Sequence, residues 1–195
     1  MLINESGLIR AIKRAYKADG YTVQNTGTNV AIYTDKWFIM ANRALLPRKA
    51  LATIVEHMGM IPEKDMPTSI IKDTEPQLVL RETAADDMDH WRGGDRGEEV
   101  TMVPVIMQGF QIYQPPGGGA CWGVPLYLVD MIERDPAEHT GADVIDKDRL
   151  LWEADGEAVV ITAVRKACSG WAKEWERAVW NALEGVDLHK EEAGR

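Results

Sequence analysis

The stretch RLLWEADGEAVVITAV, residues 149–164, is the clearest statement of fold in this chain. Two apolar runs, Arg149–Ala154 and 157–164, the second rich in β-branched residues, flank Asp155-Gly156, the strongest short-range signal for a two-residue hairpin. A helix is predicted to follow over 169–183 and to stop at Gly185. The same order recurs upstream. Strands over 29–34 and 37–41 surround the turn Thr34-Asp35-Lys36, and a helix over 47–58 has Pro47 in its first turn and Gly59 as its stop. The two β-β-α stretches echo each other as a diverged duplication would, without clear residue identity.

Working outward, a helix is predicted over 6–18. Leu8, Ile9, Ile12, Ala15 and Tyr16 fall on one stripe, with Arg10, Lys13, Arg14 and Lys17 on the other side and Asp19-Gly20 closing it. A strand over 21–24 follows. Residues 61–76 are polar and punctuated by proline. A strand is expected over 77–81, then a short helix and exposed loop over 82–99, where seven acids gather around Gly93-Gly94. Further strands are expected over 100–107 and 110–113, broken at Gln108-Gly109, and a helix over 124–133. The expected architecture is α+β with two small lobes, each a β-hairpin or short antiparallel sheet packed by helices. Their bounds are 1–62 and 75–188, with 63–74 as a linker or long loop.

The charge is split along the chain. Residues 1–50 hold eight Lys or Arg against three acids, and the remaining residues hold fourteen against twenty-eight. A basic head on an acidic body bears on partners rather than on fold. The opening residues carry no apolar signal-peptide core, and no apolar run is long enough to span a bilayer. Two cysteines, Cys121 and Cys168, form no metal-finger spacing. A reducing, cytoplasmic location with free thiols is the resulting expectation. Seven Trp stand against two Phe. On the last helix Trp171, Trp175, Ala178, Val179 and Ala182 share one stripe, expected to be core. Trp180 falls among charged residues, where an exposed Trp would serve as a binding anchor.

Three constellations are candidates for function. Asp86, Asp87, Asp89, Glu98 and Glu99, with Trp180, would form an acidic surface for a basic protein partner, as a nucleic-acid mimic does. Arg10, Lys13, Arg14 and Lys17, extended by Lys36, Arg43, Arg48 and Lys49, would track a phosphate backbone, with Tyr33 or Trp37 stacking on bases. The third is a thiol. Gly118-Gly119-Ala120-Cys121-Trp122 resembles the nucleophile loop of papain-like cysteine peptidases, in which a small residue, Cys and Trp are adjacent. The resemblance implies a cysteine-dependent hydrolase with Cys121 as nucleophile, His139 or His189 as its base and Gln114 near the oxyanion position. The chain departs from that loop where Gly118 and Gly119 replace an upstream cysteine.

Metal and cofactor chemistry has less support. Asp86, Asp87, Asp89 and His90 cluster without a second histidine motif. Asp143, Asp146 and Asp148 fail as a calcium loop, because Leu150 stands where an oxygen ligand belongs and the glycine is missing. No phosphate-binding glycine loop, zinc-protease or serine-hydrolase motif occurs. The expected function is therefore a non-catalytic regulatory or inhibitor-type protein that binds through a charged surface, without cofactor, metal or membrane. The hydrolase and the nucleic-acid binder are the alternatives.

Overall fold

Asp155-Gly156 joins two antiparallel strands as its sequence demands, with Ala154 facing Glu157 across the turn. The computed structural model that carries this hairpin describes residues 1–79, 84–94, 96–133, 141–170 and 172–190, residues 84–86 by their backbone only. In chain order the elements are α1 (Glu5–Lys17), β1 (Tyr21–Asn25), β2 (Asn29–Tyr33), β3 (Trp37–Asn42), α2 (Arg48–Met58), β4 (Thr68–Ile70), β5 (Gln77–Leu78) and α3 (Ala84–Gly93). They continue with β6 (Glu99–Met107), β7 (Phe110–Gln114), β8 (Trp122–Pro125), α4 (Leu126–Val129), β9 (Ala142–Asp146), β10 (Arg149–Ala154), β11 (Glu157–Thr162) and α5 (Glu174–Glu184).

The strands form one eleven-stranded antiparallel sheet in the order β5-β4-β1-β2-β3-β11-β10-β9-β6-β7-β8. This overturns the expected two small lobes. Two meanders, β1-β2-β3 and β9-β10-β11, meet along β3 and β11, which pair from Glu157 against Ala41 to Ile161 against Trp37. The physical reason lies in those two strands. Nearly every residue of each is buried, on both faces of the sheet. As lobe edges they would expose Trp37, Phe38, Ile39, Val159 and Val160, with unpaired backbone groups beside them. Pairing them buries both faces and joins the halves. The stretch read as a linker contributes β4, which pairs with β1.

Three apolar clusters fill the faces. On the first face Leu8, Ala11 and Ile12 of α1 and Ala50 and Ile54 of α2 pack on Val23, Val30, Ile32, Ile39, Trp152 and Val159. On the second face Met88 and Trp91 of α3 cover Tyr33, Phe38, Met40 and Val160. Beyond β9, Trp180 of α5 packs with Val103, Ile112 and Cys121.

Local chemistry sets the helix ends. The Asn4 side chain accepts from the Gly7 N–H at 2.9 Å, an N-cap for α1, and Glu5 and Lys17 sit at the ends the helix dipole favours. Gly59 closes α2 in the left-handed region, at φ 82°. The predicted helix over 124–133 shrinks to α4, because residues 122–125 are claimed as β8 by pairing with β7. Pro125, fixed at φ −54°, then opens the short helix.

Candidate functional site

The basic face of α1 forms as its spacing predicts. Gly7, Leu8, Ala11 and Ile12 are buried, and Arg10, Lys13, Arg14 and Lys17 are exposed. Arg10 pairs with Asp130 at 3.1 Å. The Arg14 guanidinium lies 4.0 Å from the centroid of the Tyr127 ring, a cation–π contact. Lys13 and Lys17 make no ion pair among the described residues. The predicted extension is partly self-neutralised, with Lys36 on Asp19 at 3.3 Å and Lys49 on Glu5 at 3.4 Å. Arg43 and Arg48 are exposed. Tyr33 and Trp37, expected to stack on bases, are about 5% and 4% exposed, too buried to do so. The partly exposed rings beside these cations are Tyr16 and Tyr127.

Where α1 meets α2, His57 stacks on Tyr16 with ring centroids 3.8 Å apart, and its Nδ1 lies 3.0 Å from the Tyr21 hydroxyl. Burial holds this imidazole below its ordinary 6.5, with Glu56 opposing and Lys13 reinforcing the shift. Burial also pushes the Tyr21 phenol up, helped by Tyr16.

The acidic candidates lie on α3 and at the head of β6. Asp89 on α3 and Glu98 and Glu99 at the head of β6 are exposed, Asp87 is half-buried, and the Asp86 side chain lies outside the described residues. Arg92 pairs with Glu153 at 2.7 Å, and Arg96 bridges Asp143 and Glu153, each at 2.7 Å. Surface pairs of this kind add little stability.

Trp180 is fully buried, which corrects its expected role as an exposed anchor. Its indole fits over Gly123, where an added Cβ would come within 2.6 Å of the ring. The stripe expected as core is instead outward: Trp175 is 56% exposed, Val179 41%, and Ala178 and Ala182 are exposed too. Trp171 lies outside the described residues. Trp180 fills the gap over Gly123 and Leu183 packs against the same cluster, so this side of α5 faces inward although Trp175 lies on the other.

Cys121 is buried and its thiol is pushed up to about 11, by burial first and by the Glu184 carboxylate second. Gln114 Nε2 approaches the sulfur at 3.5 Å, and the thiol faces the Gly119 carbonyl at 3.7 Å. Gln114 is otherwise a strut. Its amide donates to the carbonyls of Gly119 and Val186, and its oxygen accepts from the Leu188 N–H. His189 Nε2 contacts the Gln114 carbonyl at 2.9 Å and Thr101 Oγ1 at 3.3 Å rather than the thiol. His139 lies outside the described residues. The resemblance to a peptidase loop therefore does not extend to an activated thiolate at Cys121.

Among the described residues no group of His, Cys, Asp and Glu is arranged to hold a metal, and no helix is long and apolar enough to cross a membrane. Strands β4, β8 and β9 are each too short or too polar to declare themselves in the sequence.

No protein-family model and no curated protein matches the chain. Among solved structures, a protein assigned as a DNA polymerase III beta subunit from Eubacterium rectale is similar at 9% identity and TM-score 0.36, over 91% of this chain and 67% of that one. The DNA polymerase sliding clamp of Bacillus subtilis is similar at 8% identity and TM-score 0.32, over 100% of this chain and 75% of that one.

Proposed function

We propose that this is a non-catalytic binding protein acting through a charged surface, and that the surface is the basic face of α1, which takes a nucleic-acid backbone. One observation supports this above others: four cations share an exposed stripe, and Lys13 and Lys17 have no carboxylate partner among the described residues. A cation already paired must break that pair to bind phosphate. An unpaired ammonium instead gains directly by releasing condensed counterions. Arg14, held over Tyr127, adds a pre-oriented guanidinium.

A mobility-shift titration at two salt concentrations tests the reading, with wild type beside a variant carrying Gln at positions 10, 13, 14 and 17. Affinity should fall across all sequences, and the salt slope on duplex should flatten by about 0.9 for each phosphate no longer neutralised. Failure of the wild type to shift any duplex or single strand at low salt would remove nucleic acid as a direct partner. The exposed acids Asp89, Glu98 and Glu99, facing a basic protein, would then be the surface to pursue.

A further inference from the structure

Lys13 stands one turn before Tyr16 on α1, and residues at that spacing are neighbours on a helix surface. His57 of α2 lies flat on Tyr16, the ring planes within 9° of parallel. The imidazole therefore sits beside one of the two lysines that make no ion pair among the described residues. It occupies the last turn of α2, where unpaired carbonyls favour a positive charge, and it is only half-buried. The charged and titratable groups around it are few. From α1 come Lys13 and the Tyr16 phenol, from β1 the Tyr21 phenol, and from α2 itself the exposed Glu56. Lys72, whose N–H donates to the Tyr16 carbonyl at 2.8 Å, has its ammonium on Asp73 at 3.7 Å. A protonated ring keeps both of its contacts: Nδ1–H donates to the Tyr21 oxygen, and the cation lies over the face of Tyr16. What opposes the proton is burial and Lys13.

We infer that His57 is a proton-linked fifth cation of the α1 face, so that nucleic acid binds more tightly as pH falls through the imidazole range. The inference rests on the nucleic-acid reading of α1 and adds its regulation. A phosphate seated on Lys13 acts on the ring twice: it offsets the lysine charge that opposes protonation, and it supplies an anion that favours it. By reciprocity the proton must tighten the phosphate by the same factor. Arg10, Lys13, Arg14 and Lys17 hold their charge throughout this range, and carboxylates titrate below it. Between pH 8 and pH 5.5 the histidine is thus the group beside this face whose charge changes.

The test is binding of the full chain and of His57→Gln to a short mixed-sequence DNA duplex, read by fluorescence anisotropy at fixed ionic strength from about pH 8 to about pH 5.5. Wild-type affinity should rise about fivefold across that range, the lower end of ordinary coupling between sites. The salt slope should steepen by up to about 0.9 at the acid end, one further phosphate being neutralised. His57→Gln should bind as the wild type does at the alkaline end and stay flat. In the wild type the His57 Cε1–H resonance, identified by its contacts with the Tyr16 ring, should titrate at higher pH with the duplex than without it. That readout needs no substitution. Alkaline-end binding that does not tighten on acidification, equal pH dependence in His57→Gln, or a His57 titration unmoved by the duplex would overturn this inference and leave the basic face standing. Absence of binding at every pH, at low salt, would overturn both.

Discussion

A methyl group on Gly7 would run into the carbonyl oxygen of Asp130 and sit 2.8 Å from the Met131 nitrogen. This sets two effects against each other. In a free helix Gly→Ala stabilises by about 1 kcal/mol. Here α1 lies so close to the backbone after α4 that the added methyl must push two chain segments apart. Backbone cannot swing aside as a flexible side chain can, so Gly7→Ala should destabilise by about 3 kcal/mol, read from the urea midpoint. An unchanged or raised midpoint would show that α1 does not seat there. Cys121 allows a second residue-scale test. Buried and raised to about 11, it should stay unlabelled by iodoacetamide at neutral pH while exposed Cys168 reacts. Fast labelling at both thiols would revive the nucleophile reading.

The seams between elements carry the pH dependence. His57 joins α1, α2 and β1 in its neutral form. Its folded pKa lies below the unfolded one, so protons bind the unfolded chain first. Its contribution is complete above 6.5, erodes as pH falls below that value, and is gone once pH passes the folded pKa. Glu176 acts in a lower window. Lys166, at 2.8 Å, and then the Lys173 N–H hold its carboxyl below the ordinary 4.5. That contribution is present above 4.5 and lost as pH drops through the folded value. Urea midpoints from pH 8 to pH 3 should therefore fall in two steps. His57→Gln should remove the upper step and leave the lower one, and a single step unaffected by His57→Gln would contradict the assignment.

For the whole molecule, the β3–β11 seam makes the two meanders interdependent. The cluster on the first face runs without a break from Leu8 through Ile39 to Trp152 and Ile161. A fragment of residues 1–62 would leave β3 as an edge with both faces apolar, so it should fail to fold or should aggregate, as circular dichroism and sedimentation would report. The intact chain should unfold in one transition, with calorimetric and van't Hoff enthalpies equal. Two separated transitions would restore the two-lobe picture.

Wherever a local period or a turn residue was decisive, the sequence was enough. The cationic stripe of α1 follows from its 3.6-residue spacing, the β10–β11 hairpin from Asp155-Gly156, and the stop of α2 from Gly59, because each depends on residues within a turn or two of one another. Tertiary structure alone decided the rest. That β3 and β11 are neighbours depends on burying two doubly apolar strands more than a hundred residues apart, and no local pattern encodes that choice. Trp180 turned inward because distant Gly123 leaves it room, against the apparent stripe of its own helix. That Arg92 and Arg96 reach Glu153 and Asp143, about sixty and fifty residues away, was likewise decided by the fold. Net charge can be counted along a chain, whereas the field it produces depends on which charges the fold sets side by side.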